Sequence, residues 1–481
     1  MTPAWRCDTA QYVPTKPQNS TKVRWNTIKN NMPVRTFHTV RCSVVSENVV
    51  RAAQTFQELA VQAKVQTNLR VCRSTHASMG LVTSDQVAKG DVLMRVPTTA
   101  AIVLDYSSGL RLPAFARWPR LRGSAAGSSD PLPWDILQAL ALVDGLAGDG
   151  GEFWQRYCDE LLPAPEQLTL PMCWEAPRLA ELQHSDIAQA AAAQQARLTA
   201  LFPELMEPLA PDVPGWLQWA FACVRSRAFR VGTDAFAFIP FLDFANHAAA
   251  PANGQPTPTT NSTTGSLIAN ADFRMSATTS KVEEGRGGDD ESFFELVALR
   301  EIAPGEEATI CYSGPEGYTN QRYMAQYGFV PRGGNPADRI RLDLDAEHQA
   351  APLELARLQD LMGDGLFLAA LRGTDPYLFA ALKSLPLKDE DPRVMDAASI
   401  HHRTATRGDS SERTAISLLR QVEAQISEGT TLLEDDELML AGSAGEQLFV
   451  ENPRLAAAVA YRIERKRLLT TTATLLRAYA H

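Results

Sequence analysis

The chain has 481 residues, 45% hydrophobic and 21% charged, the balance of globular domains and enough length for two of them with insertions. A formal net charge of −10 argues against nucleic-acid binding as the main task. The most apolar stretch, 134–146, carries Asp135, Gln138 and Asp144, so no membrane span is expected.

Residues 1–42 hold seven basic residues against the single acid Asp8, with eight Ser or Thr and no convincing period. That basic, hydroxyl-rich, acid-poor composition is expected of an organellar transit peptide. Val40-Arg41-Cys42-Ser43 resembles the cleavage pattern of chloroplast targeting sequences. The chloroplast stroma is therefore the expected address, ahead of the mitochondrion or the cytoplasm. Next, residues 50–64 carry apolar side chains at helical spacing, and 79–97 read as two short strands with a Gly90-Asp91 turn. From 104 to 229 the pattern is mostly helical, broken by loops at 123–133 and 162–171, with a clear alanine-rich helix at 187–201. Strand character returns at 235–241.

A Pro/Thr/Asn/Ser/Gly-rich tract at about 250–290 is interrupted by Leu267-Ile268 and Asp272-Phe273; most of it offers little apolar surface to offset ordering entropy and is expected to be a surface insertion. Strands resume at 293–299 and 307–312. Helical periodicity then runs through 353–371, 415–426 and 455–479. The expected fold is α+β: a mostly antiparallel β domain over 43–345, split by a helical insertion at about 105–225, and an all-α domain over 346–481. The cysteines Cys7, Cys42, Cys72, Cys158, Cys173, Cys223 and Cys311 are scattered and form no C-x-x-C pair. This argues against a zinc site or a disulfide framework, so no metal is expected, and it suits a reducing compartment.

Four separated segments carry the chemistry. They are Met79-Gly80-Leu81 with Lys89-Gly90-Asp91 and Val96-Pro97; Val224-Arg225-Ser226-Arg227-Ala228-Phe229; Ile239-Pro240-Phe241-Leu242-Asp243-Phe244-Ala245-Asn246-His247; and Tyr312, Asn320, Tyr327-Gly328-Phe329 and Asn335-Pro336. In order and approximate spacing they resemble the divided SET domain of the plant Rubisco large-subunit methyltransferase family. The stretch 458–467 is similar to a late helix of that family's trailing helical substrate-binding domain. The resemblance implies a protein-lysine N-methyltransferase that uses S-adenosyl-L-methionine and acts on a protein partner.

Methyl transfer needs a sulfonium donor held with its methyl pointing at a neutral amine. Gly80 lets backbone approach a ligand because it has no Cβ, and the resemblance implies that Met79, Gly80 and Leu81 offer backbone groups to the cofactor's amino-acid end. An amide beside an imidazole, as in Asn246-His247 after an apolar run, presents donor and acceptor edges suited to adenine. By resemblance both bind the cofactor, with Arg227 near its carboxylate and Phe329 on its adenine. Ser226, Asp243 and Tyr327 are expected on the substrate side, Tyr327 and Phe329 walling a lysine channel. Tyr312 is the expected catalytic residue: its hydroxyl can orient the amine and stabilise charge around the methyl. Asn320 is expected to cap the helix that follows it.

No cysteine follows Cys311, so the Cys-rich zinc ending common in histone-directed relatives is absent and a non-histone substrate is expected. Ala228 stands where a histidine-directed relative carries Asn, which favours lysine. The Rubisco large subunit and fructose-bisphosphate aldolase are the family-level candidates. Residues 313–319 make a loop about three residues longer than usual, and His76-Ala77-Ser78 is an unusual lead-in to Met79. The longer loop supports the alternative of a SET-fold protein-binding module with little catalysis. Hydrolase motifs of the G-x-S-x-G, H-E-x-x-H or Walker type are missing. The oligomeric state is left open.

Overall fold

A computed structural model describes residues 42–73, 79–106, 113, 115–117, 132–248, 268–277, 292–313, 317–343, 353, 375–386 and 409–480. All but Cys42 of the expected transit peptide at 1–42, the lead-in 76–78 and most of the helix expected at 353–371 lie outside them.

Among the described residues the β structure forms three small sheets. Strands β1 (Gln66–Thr67), β2 (Leu69–Arg73), β3 (Met79–Thr83), β4 (Val92–Pro97) and β5 (Ile102–Asp105) precede the helical insertion; β6 (Phe229–Arg230), β7 (Ala235–Phe238), β8 (Asn246–His247), β9 (Ala271–Ala277), β10 (Ser292–Ala298) and β11 (Glu307–Ile310) follow it. Their orders are β1-β4-β10-β9, β2-β3-β11-β8 and β5-β7-β6. All pairings are antiparallel except β8 with β11. The expected α+β class is borne out: antiparallel sheets, an inserted helical region and a helical C-terminal region.

Two details depart from the expectation. Strands β3 and β4 do flank a Gly90 turn, with Gly90 at φ 91°, but they pair in different sheets rather than with each other. Part of the tract expected as a surface insertion is a full sheet member: β9 pairs along its length with β10. Its Asp272-Phe273-Arg274-Met275 alternation fits an edge strand. Arg274 and Arg95 clamp the buried Glu295 of β10 from both sides, at 2.9 and 2.7 Å.

The helix Cys42–Gln62 lays Phe56 and Leu59 against the core, where the Phe56 ring meets Phe241 edge-on at 5.1 Å and Phe244 at 5.6 Å. The inserted helices Trp134–Leu146 and Trp216–Arg227 pack on each other and are buried along most of their length, so their sequences read apolar on nearly every face. The 28-residue helix Pro453–Ala480 joins both halves of the molecule. Its first turns, through Ala457, Ala458 and Tyr461, belong to the main core. Its later turns form a second core with the helices Pro376–Ser384 and Asp409–Ser427. Buried polar contacts fix that junction. Arg454 donates to the carbonyls of Leu168, Pro165 and Asp212, and the His184 imidazole shares a 2.7 Å hydrogen bond with the Tyr461 hydroxyl.

Candidate active site

The candidate site is organised around residues 239–247. Strand β7 stops at Phe238, three residues short of the strand expected to run to Phe241, because Pro240 lacks an amide hydrogen for the ladder. Phe241 then takes φ 70°, ψ −42°, a conformation that costs a residue with a Cβ about 1–3 kcal/mol. The surroundings hold it there. The Phe241 amide donates to the Tyr157 hydroxyl at 2.7 Å, and its ring is wholly buried among Phe56, Phe153 and Tyr157. One turn of 3-10 helix, Leu242–Phe244, follows, and the chain leaves as β8, parallel to β11 with Asn246 opposite Thr309 and His247 opposite Ile310. Asn246-His247 therefore sits in a two-residue strand of its own, not at the end of the apolar one.

Asn246 points at β3. Its Nδ2 donates to the Met79 carbonyl at 3.1 Å and to Glu307 Oε1 at 2.6 Å. Gly80 lies directly beneath: a Cβ there would fall 2.0 Å from Glu307 Oε1 and 2.8 Å from Asn246 Nδ2. Any side chain at position 80 would expel this pair. Leu81, the third residue of the motif, is fully buried with its backbone in the sheet opposite Ala308, so only its main chain faces the site's strand.

His247 works as a latch. Its Nδ1 accepts from the Tyr312 amide at 3.1 Å, and its Nε2 lies 3.0 Å from the Tyr323 hydroxyl. Burial pushes the imidazole down to about 4, so the ring is neutral at physiological pH, and acceptance at Nδ1 places its proton on Nε2. Both ring nitrogens serve the fold, so the expected presentation of the imidazole edge to adenine does not follow from this geometry.

Tyr312 lies beside that latch. Its hydroxyl donates to the Ala245 carbonyl at 2.8 Å. Its ring stands 4.9 Å from Tyr327, 5.1 Å from His247 and 6.4 Å from Phe329. Burial raises the phenol well above its ordinary value, against the lowering by Arg227, so it stays protonated. Tyr327 is raised likewise, by burial first. The wall carrying Tyr327 and Phe329 is set by Gly328, the C-cap of helix Asn320–Tyr327 at φ 75°. A Cβ on Gly328 would lie 2.5 Å from the Thr169 carbonyl carbon, so the inserted helical region presses on the wall from behind. The cap of that helix is Thr319, whose side chain accepts from the Arg322 amide. Asn320 is the first helical residue, its side chain bonded to Asn335, so the capping role expected for it is corrected. The remainder of the longer loop, 314–316, lies outside the described residues.

Arg227 and Asp243 form a half-buried pair, with Arg227 Nη1 at 3.1 Å from Oδ2 and 3.0 Å from the Asp243 carbonyl. Asp243 Oδ1 accepts from Tyr157 at 2.5 Å. Burial raises this carboxyl, with Arg227 and Tyr157 opposing. Ser226 donates back to Ala222 at 2.8 Å inside its own helix. Ser226 and Asp243 thus spend their hydrogen bonds within the fold, which leaves Tyr327 as the residue of the expected substrate-side set on the aromatic wall.

The structure therefore brings Met79, Gly80, Asn246, His247, Tyr312, Tyr327 and Phe329 together, with Arg227 one residue pair away. Sequence reasoning missed Glu307, Tyr157, Tyr323 and the Ala245 carbonyl. Tyr157 sits 86 residues from Asp243, inside the insertion, where nothing in its neighbourhood marks it. Glu307 carried a faint signal: an acid opening an apolar strand that ends beside Tyr312.

These residues suit a sulfonium amino acid. The Asn246 amide donates to the Met79 carbonyl and the Glu307 carboxylate over a glycine, and neutral aromatic faces stand next to them. Arg227 keeps guanidinium N–H groups beyond the Nη1 pair for a carboxylate.

No protein-family model matches the chain. The Arabidopsis thaliana protein named Plastid Transcriptionally Active 14 is 25% identical over 361 residues, 70% of this chain and 64% of that protein, so the chain spans less than two thirds of this relative's length. Among solved structures, the SET domain of LSMT bound to methyllysine and AdoHcy superposes with a TM-score of 0.52 at 18% identity, covering 89% of this chain and 92% of that one. The SET domain of LSMT bound to lysine and AdoHcy gives 0.51, again at 18% identity, over 89% and 91%. Rubisco LSMT bound to AdoMet gives 0.50, also at 18%, over 89% and 92%. This chain has the fold that the four motifs suggested.

Proposed function

We propose that this protein is an S-adenosylmethionine-dependent protein-lysine N-methyltransferase acting on a non-histone chloroplast protein. The observation that carries the reading is that residues 242–247 put Tyr312, the Asn246–Gly80 contact and the Tyr327/Phe329 wall in one place, in a fold shared with LSMT structures that hold AdoMet, AdoHcy and lysine. The acid-poor N-terminus and a plastid-named relative support the address.

In this reading Met79, Gly80, Asn246 and Arg227 hold the amino-acid end of S-adenosylmethionine, which when bound supplies an electrophilic methyl. The Tyr312 hydroxyl gives its hydrogen to the Ala245 carbonyl, so its lone pairs are what it offers to the amine. A phenol kept protonated by burial is no general base, so its part is to orient the amine and stabilise charge about the methyl. Desolvation against the aromatic wall, with a sulfonium alongside, favours the neutral lysine that must attack. His247 holds Tyr312 through its amide.

A second reading, a SET-fold binding module with little turnover, draws on the same geometry: Asn246, His247 and Arg227 are all bonded within the fold. Incubating the purified chain with labelled S-adenosylmethionine and a chloroplast protein extract tests both. A labelled lysine in one protein band supports the enzyme, while cofactor binding without label supports the module.

A further inference from the structure

The aromatic wall does not end at Tyr327. From Tyr312 it runs to Tyr327 at 4.9 Å, then to Tyr323 at 6.2 Å, and then to Tyr318 at 5.8 Å. At its far end stands a cation. Arg322 is an exposed residue of helix Asn320–Tyr327, and its guanidinium sits 3.6 Å over the half-buried Tyr318 ring. One helical turn on, Gln326 Oε1 takes a long hydrogen bond of 3.5 Å from Arg322 Nε. The Nε2 of the same amide donates to the Tyr327 hydroxyl at 3.1 Å. One side-chain amide therefore separates the guanidinium from a hydroxyl on the wall. The charge is felt there, because Arg322 lowers the Tyr327 phenol against the upward push of burial.

This guanidinium is suited to reading carboxylates. Stacking uses its face and Gln326 uses Nε, which leaves the in-plane N–H donors of both Nη groups. The same two contacts hold a long side chain in place, so less entropy is lost when it is used. Among the described residues no carboxylate lies within ion-pair distance of Arg322, whereas Arg225 and Arg227 are paired with Asp135 and Asp243. Consecutive residues of an extended chain are about 3.3–3.6 Å apart, so a peptide whose lysine enters beside Tyr327 reaches Arg322 within about three residues.

We propose that Arg322 sets substrate choice by binding the carboxylate of an Asp or Glu within about three residues of the target lysine. This rests on the lysine-methyltransferase reading above and adds to it the chemistry of the substrate segment.

The test is methylation of an oriented peptide library by the full chain with labelled S-adenosylmethionine. Each peptide has one central lysine, and the flanking positions are varied in turn. At one position the wild type should favour Asp or Glu over Asn or Gln about fivefold, the size expected of one exposed charge-assisted pair. Arg322→Gln should bring that ratio close to one. Arg322→Glu should move the preference to Lys or Arg at the same position. A ratio between peptides does not depend on how much of a variant is folded, so lost stability cannot imitate the result. No acid preference in the wild type, or an acid preference kept in either variant, would overturn the proposal. A wild-type chain that labels no peptide defeats the methyltransferase reading itself, a result distinct from a ratio that fails to change.

Discussion

Replacing Tyr157 by Phe removes one oxygen atom from the interior and should loosen the whole 239–247 segment. That hydroxyl donates to Asp243 Oδ1 and accepts from the Phe241 amide, and both contacts are buried. The change leaves a buried N–H without its acceptor, at a cost of about 1–3 kcal/mol, and removes a hydrogen bond to a charged group, worth about 1.5–3 kcal/mol. The sum, about 3–5 kcal/mol, is large because Phe241 sits at φ 70° and relies on that bond. Arg227 stays on the other carboxylate oxygen, so Asp243 remains paired and the loss stops short of a stranded charge. Urea unfolding followed by tryptophan fluorescence gives the energy, and amide exchange of a peptide spanning 239–247 locates it. A loss below about 1 kcal/mol with unchanged exchange there would refute the argument that Tyr157 holds the segment in shape.

Tyr312→Phe should lower turnover by about two orders of magnitude and leave S-adenosylhomocysteine affinity within about threefold, read by a labelled-methyl assay and calorimetry; equal losses in both would place the residue in binding. Gly80→Ala would put a Cβ 2.0 Å from Glu307 Oε1, so cofactor affinity should fall at least about tenfold with a smaller effect on unfolding. The pH dependence of stability has a definite sign. Burial lowers His184 from 6.5 to about 4, so above pH 6.5 both folded and unfolded forms are neutral and stability is at its full value. As pH falls from 6.5 toward 4 the unfolded chain gains a proton that the folded one refuses, removing about 3 kcal/mol from this residue, which is only 7% exposed. Urea midpoints at pH 7, 5.5 and 4.5 would follow that decline, and His184→Asn should flatten it.

Fold and site differed in how much the amino-acid order disclosed. The helix at 185–201 was readable because one face meets a core and burial imprints period 3.6 on it, and strands β10 and β11 because they are buried on both faces and read as short apolar runs. Strand β9 showed only as the Asp272-Phe273 interruption, because its residues sit inside a Ser/Thr/Pro-rich tract and it pairs along its length with β10, a partner the local composition does not encode. Within the site, Gly80, Tyr312, Asn246 and His247 stood out as residue types with chemistry to offer in a recognisable order. Their partners did not. That His247 spends its ring on Tyr312 and Tyr323, and Asp243 on Tyr157, depends on chain segments meeting in space. Thr319 rather than Asn320 caps the last site helix for the same reason: the Asn320 side chain is claimed by Asn335.

The side-by-side run of β8 and β11 has a consequence for biosynthesis. The Met79 carbonyl waits for Asn246, 167 positions downstream, and Asn246 in turn waits for Glu307, 61 positions further on. A ribosome must release almost the entire β region, and then the helix bearing Tyr327, before these residues can meet. Such distant meetings are slow to find. A translation product that ended before residue 307 would therefore carry more than half of the polypeptide and still lack the contacts around Asn246.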